Sequence, residues 1–269
     1  MKKLILILPI LFIIYSCAVP EDEPKQMVGV FQMQTQSFKG ENMDTTITTG
    51  QQLKIFNGEH IMYARFNPTD SLSAFGVGSY STSANMDTIT ENIFFSSYDS
   101  LPNETPRTYN LHIEKTLEGY NQIIPAIENP RGGTYKLTEE YESTGTGETS
   151  PLEGLWKLTH HYSVRGKDTT HTTFTQYKIF YDGHFIWGRS YTDSLNKNRT
   201  AIGYGKLVTT GDGKLTETVL SSTLPAIREH DFDISFELKG EDGYRQIFQD
   251  SEGFTIIEDY ERVKKKEKK

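Results

Sequence analysis

Cysteine is nearly missing from this chain: the single copy among 269 residues is Cys17, at the end of an apolar run. One cysteine excludes internal disulfides and every Cys-x-x-Cys motif. Seven histidines are present, but the adjacent pair His160 and His161 points to opposite faces of a strand, which argues against a shared metal. No other His, Asp or Glu cluster has metal-ligand spacing. We therefore expect no metal and no other cofactor.

Recognisable catalytic motifs are absent as well. The sequence has no Gly-x-Ser-x-Gly and no P-loop, and no nucleophile can be paired with a base. Gly76-x-Gly78 and Gly203-x-Gly205 lie inside predicted strands, where glycine permits a barrel to bend, so they do not indicate phosphate-binding loops. These absences predict a protein that is not an enzyme.

Basic charge is in short supply. The chain has 28 Lys and Arg against 36 Asp and Glu, a net charge of −8, and a mature chain without Lys2 and Lys3 would be more acidic still. Such a charge argues against nucleic acid and anionic membrane surfaces as partners. The lysine-rich end, residues 264–269, is interpreted as a solvated basic tail.

The amino-terminal segment predicts export and a lipid anchor. Two lysines and an apolar run from Leu4 to Tyr15, too short to cross a bilayer, are typical of a signal peptide, assigned to residues 1–16. Ile14-Tyr15-Ser16-Cys17 resembles a bacterial lipobox, with an unusual residue at Tyr15, and acylation of Cys17 would anchor the chain. The acidic residues 17–26 would form a tether. We expect an outer membrane lipoprotein of a Gram-negative bacterium, whose acidic cluster favours the outer face over the inner face.

One stretch of sequence occurs twice. Residues 52–65 and 176–189 share Lys-Ile-Phe, a His and an Arg in one register, 124 positions apart. Asn57-Gly58 and Asp182-Gly183 lie between apolar and β-branched residues, which is the strongest short pattern for a β-hairpin. A duplication at a fixed period predicts two copies of one structural unit.

The duplication extends over nearly all of the chain after residue 26. Each copy contains about eight short predicted strands, separated by Gly-, Asn-, Asp- and Ser-rich turns such as 37–42, with no long helical period. Strands in hairpin order favour closed barrels, which have no exposed edges. We predict an all-β fold of two tandem up-and-down antiparallel barrels, at 27–143 and 152–263, joined by a linker at 144–151. A β-sandwich is the alternative.

The order of elements resembles the lipocalins and the lipocalin-like domains of bacterial surface lipoproteins. The resemblance lies in Gly154-x-Trp156 on the first strand and Tyr260-Glu261-Arg262-Val263 on the last. It implies that Trp156 and Arg262 stack and close one end of the second barrel. The first copy departs from the pattern, with Phe31 in place of the Trp and Ser143 roughly where the Arg should be. The pattern Lys-x-x-x-x-x-His-Phe-x-Trp, Gly-x-Gly and Leu-Thr-Glu also resembles a lipocalin-like family that implies a fold but little chemistry.

The duplicated hairpin also supplies the candidate ligand-binding residues. Strand alternation places an aromatic residue and an arginine on one face of each hairpin, where the arginine could hold a carboxylate or phosphate of an apolar ligand. In the alternative, each arginine forms a structural ion pair with a strand glutamate, and each histidine hydrogen-bonds the hairpin backbone. The candidates are Tyr63, Arg65, Glu91, Trp187, Arg189, Glu217, His60 and His184.

Two classes of function remain open at this point. The first is a lipid-anchored, non-enzymatic protein that binds a small apolar or amphipathic molecule in one or both barrels. The second is a structural or protein-interaction module, because small eight-stranded barrels can be filled by their own side chains. The sequence does not identify a protein partner.

The lipid-anchor hypothesis predicts a clear effect of Cys17→Ala. Without the cysteine that carries the acyl chains, the protein should leave the membrane fraction of a bacterial host, because nothing else in the sequence indicates a stable anchor. Fractionation followed by immunoblotting measures this. Retention of the variant in the membrane fraction would contradict the hypothesis.

Overall fold

The computed structural model describes residues 26–41, 43–48, 51–66, 73–129, 132–250 and 252–264. The predicted signal peptide, Cys17, the tether up to residue 25 and all of the basic tail except Lys264 lie outside the described residues. Within those ranges, no helix has the length and apolar character needed for a membrane span.

The structure consists of two antiparallel sheets that follow one another along the chain. The strands of the first sheet are β1 (Gly29–Gly40), β2 (Met43–Ile47), β3 (Gln51–Phe56), β4 (His60–Phe66), β5 (Ala74–Thr82), β6 (Thr88–Ser96), β7 (Arg107–Lys115), β8 (Gly119–Glu128) and β9 (Thr134–Ser143). Those of the second are β10 (Gly154–Arg165), β11 (Asp168–His171), β12 (Thr175–Tyr181), β13 (His184–Thr192), β14 (Asn198–Gly211), β15 (Lys214–Ser222), β16 (Asp231–Leu238), β17 (Gly243–Gln249) and β18 (Thr255–Arg262). A single 3₁₀ turn, Pro225–Ile227, is described between β15 and β16.

Each sheet closes on itself into an up-and-down barrel. Consecutive strands pair in order, and β1 pairs with β9 as β10 pairs with β18. In the first sheet, β2 and β3 pair with successive parts of the same edge of β1, so nine strands occupy eight barrel positions. In the second, β11 and β12 divide one edge of β10 in the same way. The prediction of two tandem eight-stranded barrels is confirmed, and the β-sandwich is excluded.

The observed turns agree with the sequence predictions at some positions and differ from them at others. The second hairpin turns at Asp182 and Gly183, both with positive φ, as an Asp-Gly hairpin requires. The turn predicted at 37–42 is wrong over residues 37–40, because β1 continues to Gly40 and pairs there with both β2 and β9. Gly78 and Gly205 lie at register shifts in β5 and β14, as expected for glycines that bend a barrel strand.

The two barrels pack side by side through a shared apolar layer. The ring of Phe75 from the first barrel lies against Gly188 of the second, where an added Cβ would stand 2.6 Å from the ring. Phe95 and Tyr177 also meet across the boundary, with ring centroids 5.4 Å apart. The buried residues of this layer are Val30, Leu53, Ile55, Met62, Ala64, Phe66, Phe75, Val77, Phe95, Leu155, Tyr177, Ile179, Ile186, Ile202 and Tyr204.

This layer explains why the duplicated hairpin is apolar on both of its faces. In β12, Ile179 faces the other barrel, whereas Phe180 and Lys178 point into their own barrel. The linker is held as well, since the backbone nitrogen of Gly147 donates a hydrogen bond to the carboxylate of Asp182. The two copies therefore form one packed body.

We expect Phe75→Ala to destabilise the whole chain. The ring is fully buried between the barrels, and removal of a buried Phe costs about 3–5 kcal/mol. Chemical denaturation followed by circular dichroism should give a single transition at lower denaturant for both barrels together. Leu117→Ala, at a fully exposed position, is the control and should change the free energy of unfolding by less than about 0.5 kcal/mol. Two separate transitions, with only the first shifted, would contradict the shared layer.

A candidate binding cavity in the second barrel

One end of the second barrel is closed by a tryptophan and an arginine. Arg262 lies over the Trp156 ring, with its guanidinium carbon 4.1 Å from the ring centroid. Trp156 Nε1 donates to the carbonyl of Leu152, and Arg262 Nη1 donates to the carbonyl of Glu153. Trp156 and Arg262 are paired in register on β10 and β18, so closure of the barrel also sets this stack. The stack is the arrangement that the lipocalin resemblance implied.

The corresponding end of the first barrel is filled differently. Phe31 pairs in register with Ser143, and no cation is opposite its ring at that register position. Instead, Phe31 makes edge-to-face contacts with Phe56 and Tyr120. Aromatic packing thus takes the place of the cation–π pair at this end.

A buried ion pair crosses the middle of each barrel. Lys54 Nζ lies 3.1 Å from Glu91 in the first barrel, and Lys178 Nζ lies 2.6 Å from Glu217 in the second. All four side chains are at least 93% buried. In the ion-pair alternative considered from the sequence, each of these glutamates pairs with an arginine. That alternative is wrong, because the lysine two positions before the Phe of each hairpin lies on the inner face and takes the glutamate.

In the first barrel, a continuous hydrogen-bond network surrounds this pair. Lys54 also donates to Gln122, which in turn donates to Glu139. Gln36 donates to the second oxygen of Glu139 at 2.7 Å, and Arg65 donates to Gln36 at 3.5 Å. Both carboxylate oxygens of Glu139 are therefore engaged. Tyr63, the aromatic partner of Arg65, packs against the apolar cluster of this barrel.

In the second barrel, the same network is incomplete. Gln246 and Tyr260 both donate to one oxygen of Glu258, at 2.6 and 2.7 Å. His161 occupies the position of Gln36, but its Nε2 stands 3.9 Å from the other oxygen of Glu258. The buried polar atoms here that have no hydrogen-bond partner within the part of the chain that the structure describes include Nδ1 of His161, Nε of Arg189 and Oε1 of Gln246.

These unsatisfied atoms border a cavity of about 320 Å³ inside the second barrel. Its polar side is formed mainly by β10, β12 and β13, with carboxylates from β15 and β18. The polar residues are His161, Ser163, Gln176, Lys178, Arg189, Glu217, Gln246, Asp250 and Glu258. Its apolar residues are Trp187, Val219, Leu224, Ile227, Phe232, Ile234, Phe248 and Ile256. Leu224, Ile227 and Asp250 are only partly buried and mark the end that faces solvent.

Arg189 is the unusual group in this cavity. Its guanidinium lies 5.0 Å from the Phe174 ring centroid and 5.6 Å from that of Trp187. None of the described residues accepts a hydrogen bond from it. Burial lowers the pKa of Arg189, and the negative charge of Glu258 partly offsets this. A guanidinium stays charged at any physiological pH. The buried Nε–H of this partly buried cation therefore lacks an acceptor among the described residues.

Burial also shifts the neighbouring acid and base. It lowers the pKa of His161, in spite of the opposing effect of Glu258, so this side chain is neutral near pH 7. It raises the pKa of Glu217, although Lys178 acts in the opposite direction. Burial and the neighbouring charges together therefore set the pKa of these groups.

The structure divides the sequence candidates into those that meet in this cavity and those that do not. Trp187, Arg189 and Glu217 line it together. His184 lies elsewhere: its Nδ1 is 2.9 Å from the carbonyl of Asp182, as expected for a hairpin histidine. His60 borders a second cavity, of about 930 Å³, between the barrels. Lys178, Gln246 and Glu258 were missed, and β12 around Lys178 is buried on both faces, so it shows no polar–apolar alternation that would indicate an inward lysine.

The ion pair predicts an unequal response to single and double substitutions. Lys178→Met should lower the free energy of unfolding by about 3–5 kcal/mol, because it leaves Glu217 buried without its partner. Lys178→Met combined with Glu217→Met should recover most of that loss, since two apolar groups replace two charges. Urea denaturation measures both. A double variant less stable than Lys178→Met alone would show that the pair is not the source of the effect.

Comparison with known families finds a match to the second copy. Residues 151–269 match the family described as a domain of unknown function (DUF4488). The match contains the whole second barrel and every residue that lines its cavity. A search of curated proteins gave no match. The second barrel is therefore similar to the members of that family, and the first copy repeats its fold.

Proposed function

We propose that this chain is a lipocalin-like, non-enzymatic binding protein whose second barrel holds a small amphipathic molecule. The observation that carries the proposal is Arg189, a partly buried guanidinium whose Nε has no hydrogen-bond acceptor among the described residues, at the boundary of an apolar cavity. The apolar tail of the ligand would contact the side of the cavity near Phe248, and its carboxylate or similar acceptor would reach Arg189. With the proposed anchor at Cys17, the ligand would be held at an outer membrane surface.

The unpaired Nε–H of Arg189 carries a cost in free energy. A buried donor without an acceptor costs about 1–3 kcal/mol, and more when it is charged. Arg65, at the same place in the first barrel, donates a hydrogen bond to Gln36. Arg189 has His161 where Arg65 has Gln36, and His161 does not accept from it. The Nε of Arg65 lacks an acceptor as well, but Arg189 lines the cavity of about 320 Å³ and Arg65 lines neither described cavity. A ligand acceptor could therefore remove this cost at Arg189.

The size of the cavity limits the ligand. A volume of about 320 Å³ is at the lower end of the range for small-molecule pockets. It corresponds to about ten water molecules at roughly 30 Å³ each. Molecules with a single short chain fit this volume, whereas membrane phospholipids with two long chains do not. Short-chain amphiphiles with about eight carbon atoms are therefore suitable probes.

We expect Arg189→Ala to weaken the binding of octanoate but not of 1-octanol. The substitution removes a charged hydrogen bond worth about 1.5–3 kcal/mol, which corresponds to roughly 10- to 150-fold in Kd. The neutral alcohol keeps its apolar contacts and should change little. Isothermal titration calorimetry measures both ligands. Fluorescence of Trp187, which lines the cavity, gives a second readout.

Arg65→Ala is the matched variant in the first barrel. It removes an arginine from the same strand position, with the same change in net charge, and should leave octanoate binding as it is in the unmodified protein. Equal weakening by both substitutions would place the effect in overall charge and contradict the proposed site. Absence of binding by either probe would favour a structural or protein-interaction module.

A further inference from the structure

The cavity has unpaired acceptors as well as an unpaired donor. Oε1 of Gln246 is buried and receives no hydrogen bond from the described residues. Its counterpart in the first barrel, Oε1 of Gln122, accepts one from Lys54 at 2.7 Å. The second oxygen of Glu258 receives no hydrogen bond from the described residues, and Nε2 of His161 lies 3.9 Å from it. A ligand that offered nothing but a carboxylate would leave these acceptors unpaired.

The charges that line the cavity give a second indication about the head group of the ligand. Lys178 and Glu217 neutralise one another in their ion pair. Arg189 and Glu258 then remain inside the barrel, where they interact electrostatically without forming a salt bridge, and Asp250 lies at the solvent end. With two cations against three anions, the lining gives a simple anion one partner, Arg189, and leaves the negative charge of Glu258 without one. It suits a head group that presents a negative charge to Arg189 and a positive charge to Glu258.

The first barrel shows that this arrangement is not required by the fold. There, Gln36 and Gln122 donate to separate oxygens of Glu139, and the network has a donor for each oxygen. His161 replaces Gln36 in the second barrel, and its shorter reach leaves one oxygen of Glu258 open. Corresponding strands of the two barrels thus hold a complete hydrogen-bond network around Glu139 and an incomplete one around Glu258.

We infer that the ligand of the second barrel is a zwitterion: a small amino acid with an apolar side chain. Its carboxylate would bind Arg189, its ammonium group would donate to Gln246 Oε1 and to the open oxygen of Glu258, and its side chain would contact the apolar residues near Phe248. This rests on the proposed function and adds to it the chemistry of the head group.

Three ligands of equal chain length test the inference on the unmodified protein. Octanoate has only the carboxylate, 2-hydroxyoctanoate adds a neutral donor, and 2-aminooctanoate adds an ammonium group. The expected order of affinity is amino above hydroxy above unsubstituted, with the amino compound at least about tenfold tighter than octanoate because it adds a charged hydrogen bond. Isothermal titration calorimetry at pH 7 gives the three values of Kd.

Two matched variants locate the effect. Glu258→Gln removes the negative charge and should bring the amino compound and octanoate within about threefold of each other. Glu139→Gln makes the same change in the first barrel and should keep the full preference. Thermal denaturation by circular dichroism checks that both variants fold. The three-ligand series needs no variant, so it decides the question even if Glu258→Gln does not fold.

The outcomes separate the two proposals. Octanoate binding that depends on Arg189 and is as tight as that of 2-aminooctanoate would overturn the zwitterion and leave the amphiphile site intact. Absence of binding by all three ligands would overturn both, and would mean that water alone satisfies the cavity. Preference for the amino compound that persists in Glu258→Gln would overturn the assignment of Glu258.

Discussion

The buried lysine–glutamate pair is the constraint on which the interior of each barrel depends. A charge removed from water is tolerated only when its partner and further hydrogen bonds replace the lost solvation. Lys178 and Glu217 therefore require polar neighbours, which Gln176, Gln246 and Glu258 supply. In the second barrel, this polar layer lies between an end packed with aromatic rings and an end that faces solvent. The cavity begins where the polar layer ends.

Because the chain is duplicated, the interiors of the two barrels can be compared position by position. In both, two tyrosines stack in parallel beside the ion pair: Tyr120 on Tyr141, and Tyr244 on Tyr260, with ring centroids 4.9 and 4.8 Å apart. The differences are confined to a few positions around this common core. Gln36 completes a hydrogen-bond network, whereas His161 is too far from its carboxylate to do so. One residue thus accounts for the contrast at this carboxylate, although Nε of Arg65 and the hydroxyl of Tyr120 in the first barrel also lack a partner among the described residues.

Much of the fold could be predicted from the sequence, because hairpin turns and strand alternation are local. The register of the two hairpins fixed which residues share a face, and Trp187 and Arg189 do lie together in the barrel. The interior charges could not be predicted so directly. Lys178 stands between Tyr177 and Ile179, both buried against the other barrel, so β12 is buried on its two faces. Such a strand does not show the polar–apolar alternation that identifies an inward lysine. The contact between barrels depends on distant residues, and no local pattern encodes it.

The same hairpin links the contact between barrels to the cavity. On β13, Ile186 and Gly188 face the first barrel, whereas Trp187 and Arg189 face the cavity. Gly188 allows the Phe75 ring to approach the strand, and Gly203 on β14 makes room for the Trp187 ring, where an added Cβ would stand 2.6 Å away. Packing on the outer face therefore restrains the strand that carries Arg189. A binding site is most selective when its strands are rigid before the ligand arrives. If the second barrel binds a ligand as proposed, the first barrel would contribute as a support for β13, without needing a ligand of its own.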